Sequence, residues 1–408
     1  MGKSINFSGQ PIFSQLLFFV DKSAVKSIGH QLGGERYVKK FGTYEHLVVM
    51  LFVSLEGFTS LRETIIGLLS NAHKLCHLGI DYLVKRSTLS EANSRRESKI
   101  FEAIYMDLYS RWGTSLADSR LSHEQLKRLY IMDSTTIGLF KCILKGVGRK
   151  PKDGNRKGGI KAHTIIKYET KMPCFIDYTE AAKHDHVLLK EVDLPEDSIL
   201  CFDKGYVDYR AYEGFTLAKI WYITRQKDNA TYESIQEYDI PEHCDNGILK
   251  DELIELSYGD NKELKHQCRR IAFWDDLTKK LYIFTTNNME FDAETVAMIY
   301  KKRWQIELLF KQLKQNFPLK YFIGDNVNAI EIQIWCALIA NLLIMLVRSQ
   351  VKKAWSFSNL VSTIRRQLMN YINIYDFLED PEKAWSTIIK ERTERQNAQD
   401  GPLLLFDL

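Results

Sequence analysis

The sequence lacks the cysteine patterns of a disulfide-bonded scaffold or of a zinc site. Its 408 residues include only seven cysteines, an odd number, and no two of them form a C-x-x-C pair. The wide spacing favours scattered, reduced thiols over a disulfide framework or a tetrahedral metal site. The seven are Cys76, Cys142, Cys174, Cys201, Cys244, Cys268 and Cys336.

Signals for export, sequence repeats and disorder are missing as well. The first residues, MGKSINFSGQPIF, contain no long apolar run and no small-residue cleavage site, so we expect no secretory signal and a cytoplasmic location. No internal repeat or low-complexity tract is present. With 45% hydrophobic and 26% charged residues, the chain has the composition of a globular protein of two or three domains.

The excess of positive charge is small, and its placement is more informative than its size. A net charge of +4 permits a polyanionic partner without requiring one. Residues 85–99 are polar and rich in arginine, which suits either DNA contact or a solvated helix surface. Residues 145–161 form a basic, glycine-rich loop that either contacts DNA or is solvated and flexible.

One apolar segment has the length of a membrane span. Residues 330–347 read IEIQIWCALIANLLIMLV, and the polar residues Glu331, Gln333 and Asn341 interrupt the run. A charged side chain costs about 2.5–3.5 kcal/mol at the centre of a bilayer. We therefore predict a buried core helix and no membrane partner.

The hydrophobic pattern changes from helical to strand-like near residue 129. Apolar residues recur at helical spacing through the first 120 residues, whereas residues 129–226 predict strand, hairpin, helix, strand, helix and strand. Such an order indicates a mixed α/β fold. A polar and then strand-like insertion follows at about residues 227–282, then a helix over residues 292–316, and further helices after residue 320.

Two aspartates stand where the strand pattern predicts apolar residues. Asp133 lies within the β-branched and aromatic run LYIMDSTTIGL, although aspartate is depleted in strands. Because a buried unpaired carboxylate is costly, either a divalent cation or an Arg or Lys partner must balance it. Asp203 follows the apolar run at residues 199–202, at the strand end where open α/β sheets bind ligands. An ordinary strand-to-loop aspartate is the alternative.

The predicted helix over residues 292–316 presents four polar side chains on one face. Tyr300, Arg303, Glu307 and Lys314 lie within an arc of roughly 60° at 3.6 residues per turn. This arrangement suits a metal-binding carboxylate with phosphate-binding cations on either side. Simple ion pairing of Arg303 with Glu307, worth about 0.2–0.5 kcal/mol, is the alternative. Tyr300 either contacts a phosphate or a base, or packs its helix.

The spacing Y-(2)-R-(3)-E-(6)-K of these residues resembles the YREK signature of the insertion-sequence DDE transposases of the IS-four family. Asp133 in YIMDSTTI resembles the first catalytic aspartate of that family. Asp203 in CFDKGY, followed by WYITRQK, resembles the second motif. The resemblance covers most of residues 120–350.

This resemblance implies a ribonuclease-H-like α/β core with a β-rich insertion, flanked by helical N-terminal and C-terminal regions. Asp133 and Asp203 are then expected on adjacent strands, and Glu307 on a helix that reaches them. The three carboxylates are expected to be catalytic and to bind two Mg²⁺ or Mn²⁺ ions, which lie about 3.5–4 Å apart in such centres.

The resemblance further implies contacts with double-stranded DNA. Tyr300, Arg303 and Lys314 are expected to contact the strand near the cut. Lys161 and Arg149, from the basic loop, are additional candidates for DNA binding, and such affinity would come mainly from phosphates.

The function that the resemblance implies is cut-and-paste DNA transposition. Metal-dependent cleavage at the transposon ends is followed by strand transfer into target DNA, in a homodimer that synapses two terminal inverted repeats in the nucleoid. Residues 1–120 would bind these repeats, residues 121–325 would form the catalytic domain, and residues 326–408 a helical region. The alternatives are a structure-selective nuclease on the same fold and a non-catalytic, transposase-derived DNA-binding protein.

Overall fold

The computed structural model describes residues 9–138, 159–180, 185–240, 247–259 and 263–399. Helices dominate both ends of the chain, and strands dominate its middle. The α-helices are α1 Ile12–Leu17, α2 Lys22–Gln31, α3 Thr43–Glu56, α4 Leu61–Ser70, α5 Arg86–Arg95, α6 Ser98–Trp112, α7 Glu124–Lys127, α8 Tyr209–Leu217, α9 Ala293–Lys302, α10 Trp304–Asn316, α11 Val327–Ser349, α12 Phe357–Gln367, α13 Ile374–Glu379 and α14 Pro381–Gln399. Short 3₁₀ helices cover Ala72–Leu78, Gly113–Leu116 and Asp185–Glu191.

The strands follow one another in the middle of the chain. They are β1 Leu129–Gly138, β2 Gly159–Lys167, β3 Met172–Glu180, β4 Ile199–Phe202, β5 Trp221–Arg225, β6 Tyr232–Glu237, β7 Ile248–Tyr258, β8 Leu264–Asp275 and β9 Lys280–Thr286.

The chain divides into two compact units. Residues 1–116 and 312–408 form a helical unit, and residues 117–311 form a sheet-containing unit. The N-terminal and C-terminal helical regions, predicted separately, therefore share one unit. How function divides among the three predicted regions stays a prediction.

Helix α11 is the central element of the helical unit. It packs against α3 and α6, and nearly all of its side chains are buried. It is long and apolar enough to cross a membrane, but 89% of its most apolar window is buried inside the protein. This burial agrees with the predicted core helix.

The polar residues that interrupt α11 are hydrogen-bonded within the helical unit. The Gln333 amide donates to the carbonyls of Pro318 and Tyr321, at 2.8 Å each. Asn341 Oδ1 accepts a 2.7 Å bond from Gln312, and Glu331 accepts a 2.6 Å bond from the Ser98 hydroxyl. Each polar group thus has a partner, which is the condition for burying it at low cost.

The sheet-containing unit is built on one nine-stranded sheet of order β3-β2-β1-β4-β5-β9-β8-β7-β6. Strands β1, β2 and β3 pair antiparallel, and β1, β4 and β5 pair parallel. The order β3-β2-β1-β4-β5, with its antiparallel start and parallel continuation, is the ribonuclease-H-like arrangement expected from the sequence.

The predicted insertion extends this same sheet. Strand β9 pairs antiparallel with β5, and β8, β7 and β6 follow outwards in a meander. The β-rich character expected at about residues 227–282 is present, and the last strand continues to Thr286.

The register of the parallel strands assigns side chains to the two faces of the sheet. Met132 pairs with Phe202, and both enter a buried cluster with Tyr206, Tyr212 and Tyr222. Because side chains alternate along a strand, the next residues, Asp133 and Asp203, lie on the opposite face.

The helix predicted over residues 292–316 is interrupted at Arg303, so the expectation of one continuous helix was wrong. The Arg303 N–H bonds the Tyr300 carbonyl at 3.0 Å, and the Ile306 N–H bonds the Arg303 carbonyl at 3.3 Å. Both hydrogen bonds join residues three apart, as in a 3₁₀ turn, so the chain is wound more tightly here than in an α-helix. Helix α9 therefore ends at Lys302, and α10 begins at Trp304.

Candidate active site

Asp133 and Asp203 lie side by side at the ends of paired strands. Asp133 is within β1, and Asp203 directly follows β4. Their predecessors, Met132 and Phe202, are register partners, so the two carboxylates continue the same alignment on one face. The Ser134 backbone N–H donates a 2.8 Å bond to Asp133 Oδ1.

Arg303 joins Asp133 to Glu307. Its Nη1 lies 3.0 Å from Asp133 Oδ2, and its Nη2 lies 2.6 Å from Glu307 Oε1. The Arg303 side chain is only 16% exposed, so the interaction is no solvated surface pair. The sequence left open whether a metal or a cation balances Asp133, and the structure places an arginine there.

Asp203 has its own cation and a phenol. Arg225, the last residue of β5, places Nη2 3.0 Å from Asp203 Oδ1. The Tyr300 hydroxyl donates to the same oxygen at 3.3 Å, while its ring packs 4.9 Å from the ring of Phe284. Tyr300 therefore combines a polar contact with the helix packing that was its alternative role.

Arg225 is a site residue that the sequence analysis did not identify. It lies within WYITRQK, the segment already matched to the second motif. Its position in the sequence was the available signal. Strands β4 and β5 are parallel and Cys201 pairs with Ile223, so two residues further along each strand Arg225 comes to lie beside Asp203.

The two aspartates respond differently to their surroundings. Burial raises the pKa of Asp133, and the Ser134 N–H and Arg303 offset only part of that effect. Burial also acts to raise the pKa of Asp203, but the bond and charge of Arg225 outweigh it and lower that pKa. Burial opposes the charge on Arg303, yet Tyr300 and the neighbouring carboxylates raise its pKa. The site thus holds three acids and two cations close together.

Of the other predicted DNA contacts, only Lys161 belongs to the described residues of the sheet-containing unit. Lys161 was expected in the basic loop, but it lies on β2 and pairs with Thr136. Strand alternation therefore directs it to the face opposite Asp133. Lys314 lies in the last turn of α10, in the part of that helix that belongs to the helical unit, and burial lowers its pKa. Arg149 lies outside the described residues. The DNA-binding roles of all three stay predictions.

The family of the chain follows from its match to known sequences. A family model described as the transposase DDE domain matches residues 124–343, which is more than half of the chain. The chain belongs to the DDE transposase family. It is a DNA transposase, and the strands and helices that carry Asp133, Asp203 and Glu307 all lie within the matched region. A second model, for a domain of unknown function, matches residues 8–81.

Curated relatives named as transposases agree with this assignment. The y4zB protein of Sinorhizobium fredii is 29% identical over 62% of this chain and 68% of its own length. The protein of insertion sequence element IS5377 from Geobacillus stearothermophilus is 25% identical over 59% and 62%. The protein of element IS4SA from Synechocystis is 27% identical over 64% and 71%. A solved piggyBac transposase complex aligns with a TM-score of 0.41 at 10% identity, over 93% of this chain and 84% of its own, which is too low for an inference.

The three carboxylates do not lie close enough together in this structure to form a metal-binding group. Among the residues that the structure describes, no three His, Cys, Asp or Glu side chains lie close enough together to hold an ion. Arg303 and Arg225 bond the acids instead. The donor chemistry nevertheless fits a hard divalent cation, since the three acids offer carboxylate oxygens and the half-buried Asp133 carboxylate pairs with a cation, Arg303.

The contact of Tyr300 with Asp203 leads to a testable prediction. Replacing Tyr300 by Phe keeps the ring on Phe284 and removes the hydroxyl that bonds Asp203. A hydrogen bond to a charged group contributes about 1.5–3 kcal/mol, and this one is long. We therefore expect single-turnover DNA cleavage to slow by roughly five- to tenfold, while the melting temperature falls by at most a few degrees. Tyr375→Phe, in the helical unit, serves as the matched control, and an unchanged rate would leave Tyr300 a packing residue only.

Proposed function

We propose that this transposase moves its element by cut-and-paste transposition, with Asp133, Asp203 and Glu307 as its catalytic and metal-binding residues. The observation that carries this proposal is the single guanidinium of Arg303, which bonds both Asp133 and Glu307. Because one guanidinium contacts both acids, the two carboxylates face the same space, which a metal ion would occupy in place of the guanidinium. Asp203 stands beside Asp133 on the neighbouring strand, and so completes the set.

The three carboxylates would hold two Mg²⁺ or Mn²⁺ ions. Ions of this class clamp the attacking and leaving oxygens of a phosphoryl transfer and activate water at neutral pH. The protein supplies hard oxygen donors, fixed on two strands and one helix. It also supplies Arg225, which favours the ionised form of Asp203 by lowering its pKa.

Arg303 and Tyr300 have a second role in this proposal. An arginine binds a phosphate in bidentate fashion, and Arg303 contacts both Asp133 and Glu307, so a phosphate bound to it would lie beside these acids. The centre of the Tyr300 ring lies 6.0 Å from the guanidinium carbon of Arg303 and 6.0 Å from that of Arg225. The ring therefore contacts both cations. Both residues would position the DNA backbone beside the carboxylates.

Tyr300, Arg303, Glu307 and Lys314 together support membership of the YREK-signature subfamily. This membership implies that Lys314 contacts the backbone as well. Residues 1–120 would bind the terminal inverted repeats, and Lys161 and Arg149 would contact flanking phosphates. Two copies of the chain would act on two ends of double-stranded DNA in one synaptic complex, in the cytoplasm at the nucleoid.

An excision assay tests the proposal. The gene with its native flanking DNA is placed on a plasmid in cells that lack related elements, and the plasmid is examined for loss of the element and for new insertions. We expect excision and reinsertion when both flanks are native. Replacing one flank by random sequence of equal length should abolish both products.

Two outcomes would contradict the proposal. Nicking or cutting of branched DNA without excision would support a structure-selective nuclease. Flank-dependent binding without any strand cleavage would support a non-catalytic DNA-binding protein.

A further inference from the structure

A groove in the helical unit concentrates the positive charge of the chain. The groove encloses about 760 Å³ between residues 33–41 on one wall and residues 82–96 on the other. Six cations and one acid, Glu91, line it, for a net charge of +5, whereas the whole chain carries +4. The rest of the protein is therefore close to neutral. The cations of this basic groove are Arg36, Lys39, Lys40, Lys85, Arg95 and Arg96.

Most of these cations have no ion-pair partner among the described residues, although the charges of Glu35 and Glu45 act on Arg96 from a distance. Glu91 bonds Arg95 at 2.9 Å. Within the described part of the chain, no carboxylate lies within 4.0 Å of the other five cations. Arg36, Lys39, Lys40 and Lys85 are exposed to solvent. Like charges gathered around one groove repel each other, and a polyanion that enters the groove relieves this repulsion.

Arg96 connects the two walls of the basic groove. Arg96 is 5% exposed and is fixed by bonds to the carbonyls of Gly34, at 3.0 Å, and Phe41, at 2.7 Å. These bonds join the wall of residues 82–96 to the wall of residues 33–41, and so fix the shape of the basic groove.

An exposed aromatic ring stands on the wall of the same groove. Tyr37 is 93% exposed and has a φ of +58°, a conformation that residues other than glycine rarely adopt. Tyrosine hydroxyls are among the side-chain groups that bond phosphate and sugar oxygens of duplex DNA. The position of Tyr37 among exposed cations therefore favours a DNA backbone over an acidic protein.

We propose that the basic groove binds duplex DNA through its backbone phosphates, with Tyr37 contacting an adjacent sugar or phosphate. The inference rests on the proposed function, because it specifies the surface by which the transposase holds its DNA. Cations on both walls suit a phosphate backbone that lies between them. The contact is to the backbone, so it acts on any duplex sequence.

Neutralising the first wall tests this assignment. In the triple variant Arg36→Gln, Lys39→Gln, Lys40→Gln of the full chain, we expect the Kd for a labelled 40-base-pair duplex to rise roughly ten- to a hundredfold. The slope of log Kd against log salt should fall by about 2–3, close to one per lost phosphate contact. Tyr37→Ala should raise the Kd without changing that slope, because it removes no charge.

A matched control carries three neutralised lysines elsewhere on the helical unit, Lys26→Gln, Lys352→Gln and Lys353→Gln, which are all exposed. It should bind DNA as the wild type does, and both triple variants should keep the wild-type melting temperature. Wild-type affinity and slope in the groove variant would overturn the proposal, as would a loss confined to single-stranded DNA.

The same measurements separate this inference from the proposed function. If the wild type binds DNA through the groove but never cleaves it, the assignment of the groove is supported and the catalytic proposal is contradicted. If the groove variant binds and cleaves DNA as the wild type does, the catalytic proposal is supported and the assignment of the groove is contradicted.

Discussion

Replacing Asp133 by asparagine should reduce DNA cleavage by at least roughly 10³-fold, which corresponds to about 4 kcal/mol of transition-state stabilisation. The amide has nearly the same shape, and it can still accept the Ser134 N–H. It cannot carry the negative charge that a divalent ion and the phosphoryl transfer require. We therefore expect the loss in the chemical step, with DNA affinity unchanged.

The fold should tolerate this substitution. Burial already disfavours the charged form of Asp133, and the neighbouring Asp203 and Glu307 act in the same direction. Removing the charge costs the bond to Arg303, which keeps Glu307 as its partner. We expect a melting temperature within a few degrees of the wild type.

Single-turnover cleavage and thermal melting of the same preparations measure the two effects. Asp193→Asn, in an exposed segment of the same unit, is the matched control and should cleave normally. A fully active Asp133→Asn enzyme would remove Asp133 from the catalytic set. A loss of activity accompanied by a large drop in melting temperature would point to a structural role instead.

Much of the fold was predictable because its signals are local. Runs of apolar and β-branched residues marked β1 to β5 in order. The apolar segment in α11 was recognisable as a core helix by the polar residues that interrupt it, Glu331, Gln333 and Asn341. The place of the insertion in the sheet was not predictable in this way. It depends on Ile223 meeting Thr286, a pairing between residues far apart in the sequence.

The acids of the site were predictable from the sequence, but the hydrogen bonds and ion pairs that connect them to Arg303, Arg225 and Tyr300 were not. Asp133 and Asp203 were conspicuous because an acid amid a buried strand needs compensation. The sequence could not decide between metal and arginine, since that depends on where the side chain of Arg303 points. No proline or glycine in the sequence predicts the turn at Arg303. At this turn Arg303 bonds Asp133 and Glu307, and its backbone forms the shorter hydrogen-bonded loops of a 3₁₀ turn.

A second large effect is expected in the insertion, at Glu252. Its side chain is fully buried on β7 and accepts bonds from Arg270 at 2.6 Å, from Lys250 at 2.7 Å and from the Ser234 hydroxyl at 2.8 Å. Removing one member of a buried ion pair leaves the other charge uncompensated and costs about 3–5 kcal/mol. We expect Glu252→Gln to lower the free energy of unfolding by about 3 kcal/mol, because the amide still accepts one bond.

The matched control is Glu255→Gln on the same strand. Glu255 pairs with Lys265, which is 60% exposed, so this pair should contribute less than about 1 kcal/mol. Urea unfolding measures both variants, and hydrogen exchange of peptides from β7 and β8 shows whether the loss is local. Equal stability of the two variants would contradict the assigned role of Glu252.

The dependence on pH separates a charge effect from a packing effect at Glu252. Burial acts to raise the pKa of Glu252, but its bonds to Lys250, Ser234 and Arg270 outweigh burial and lower that pKa below the ordinary value of 4.5. A carboxyl group with a lowered folded-state pKa stabilises the protein above its unfolded-state pKa, and this contribution is lost as the pH falls through the folded-state value. The difference in unfolding free energy between wild type and Glu252→Gln should thus be constant near neutral pH and shrink below about pH 4.5. A difference that stays the same in acid would mean that the glutamine disturbs packing, and that the buried charge contributes nothing.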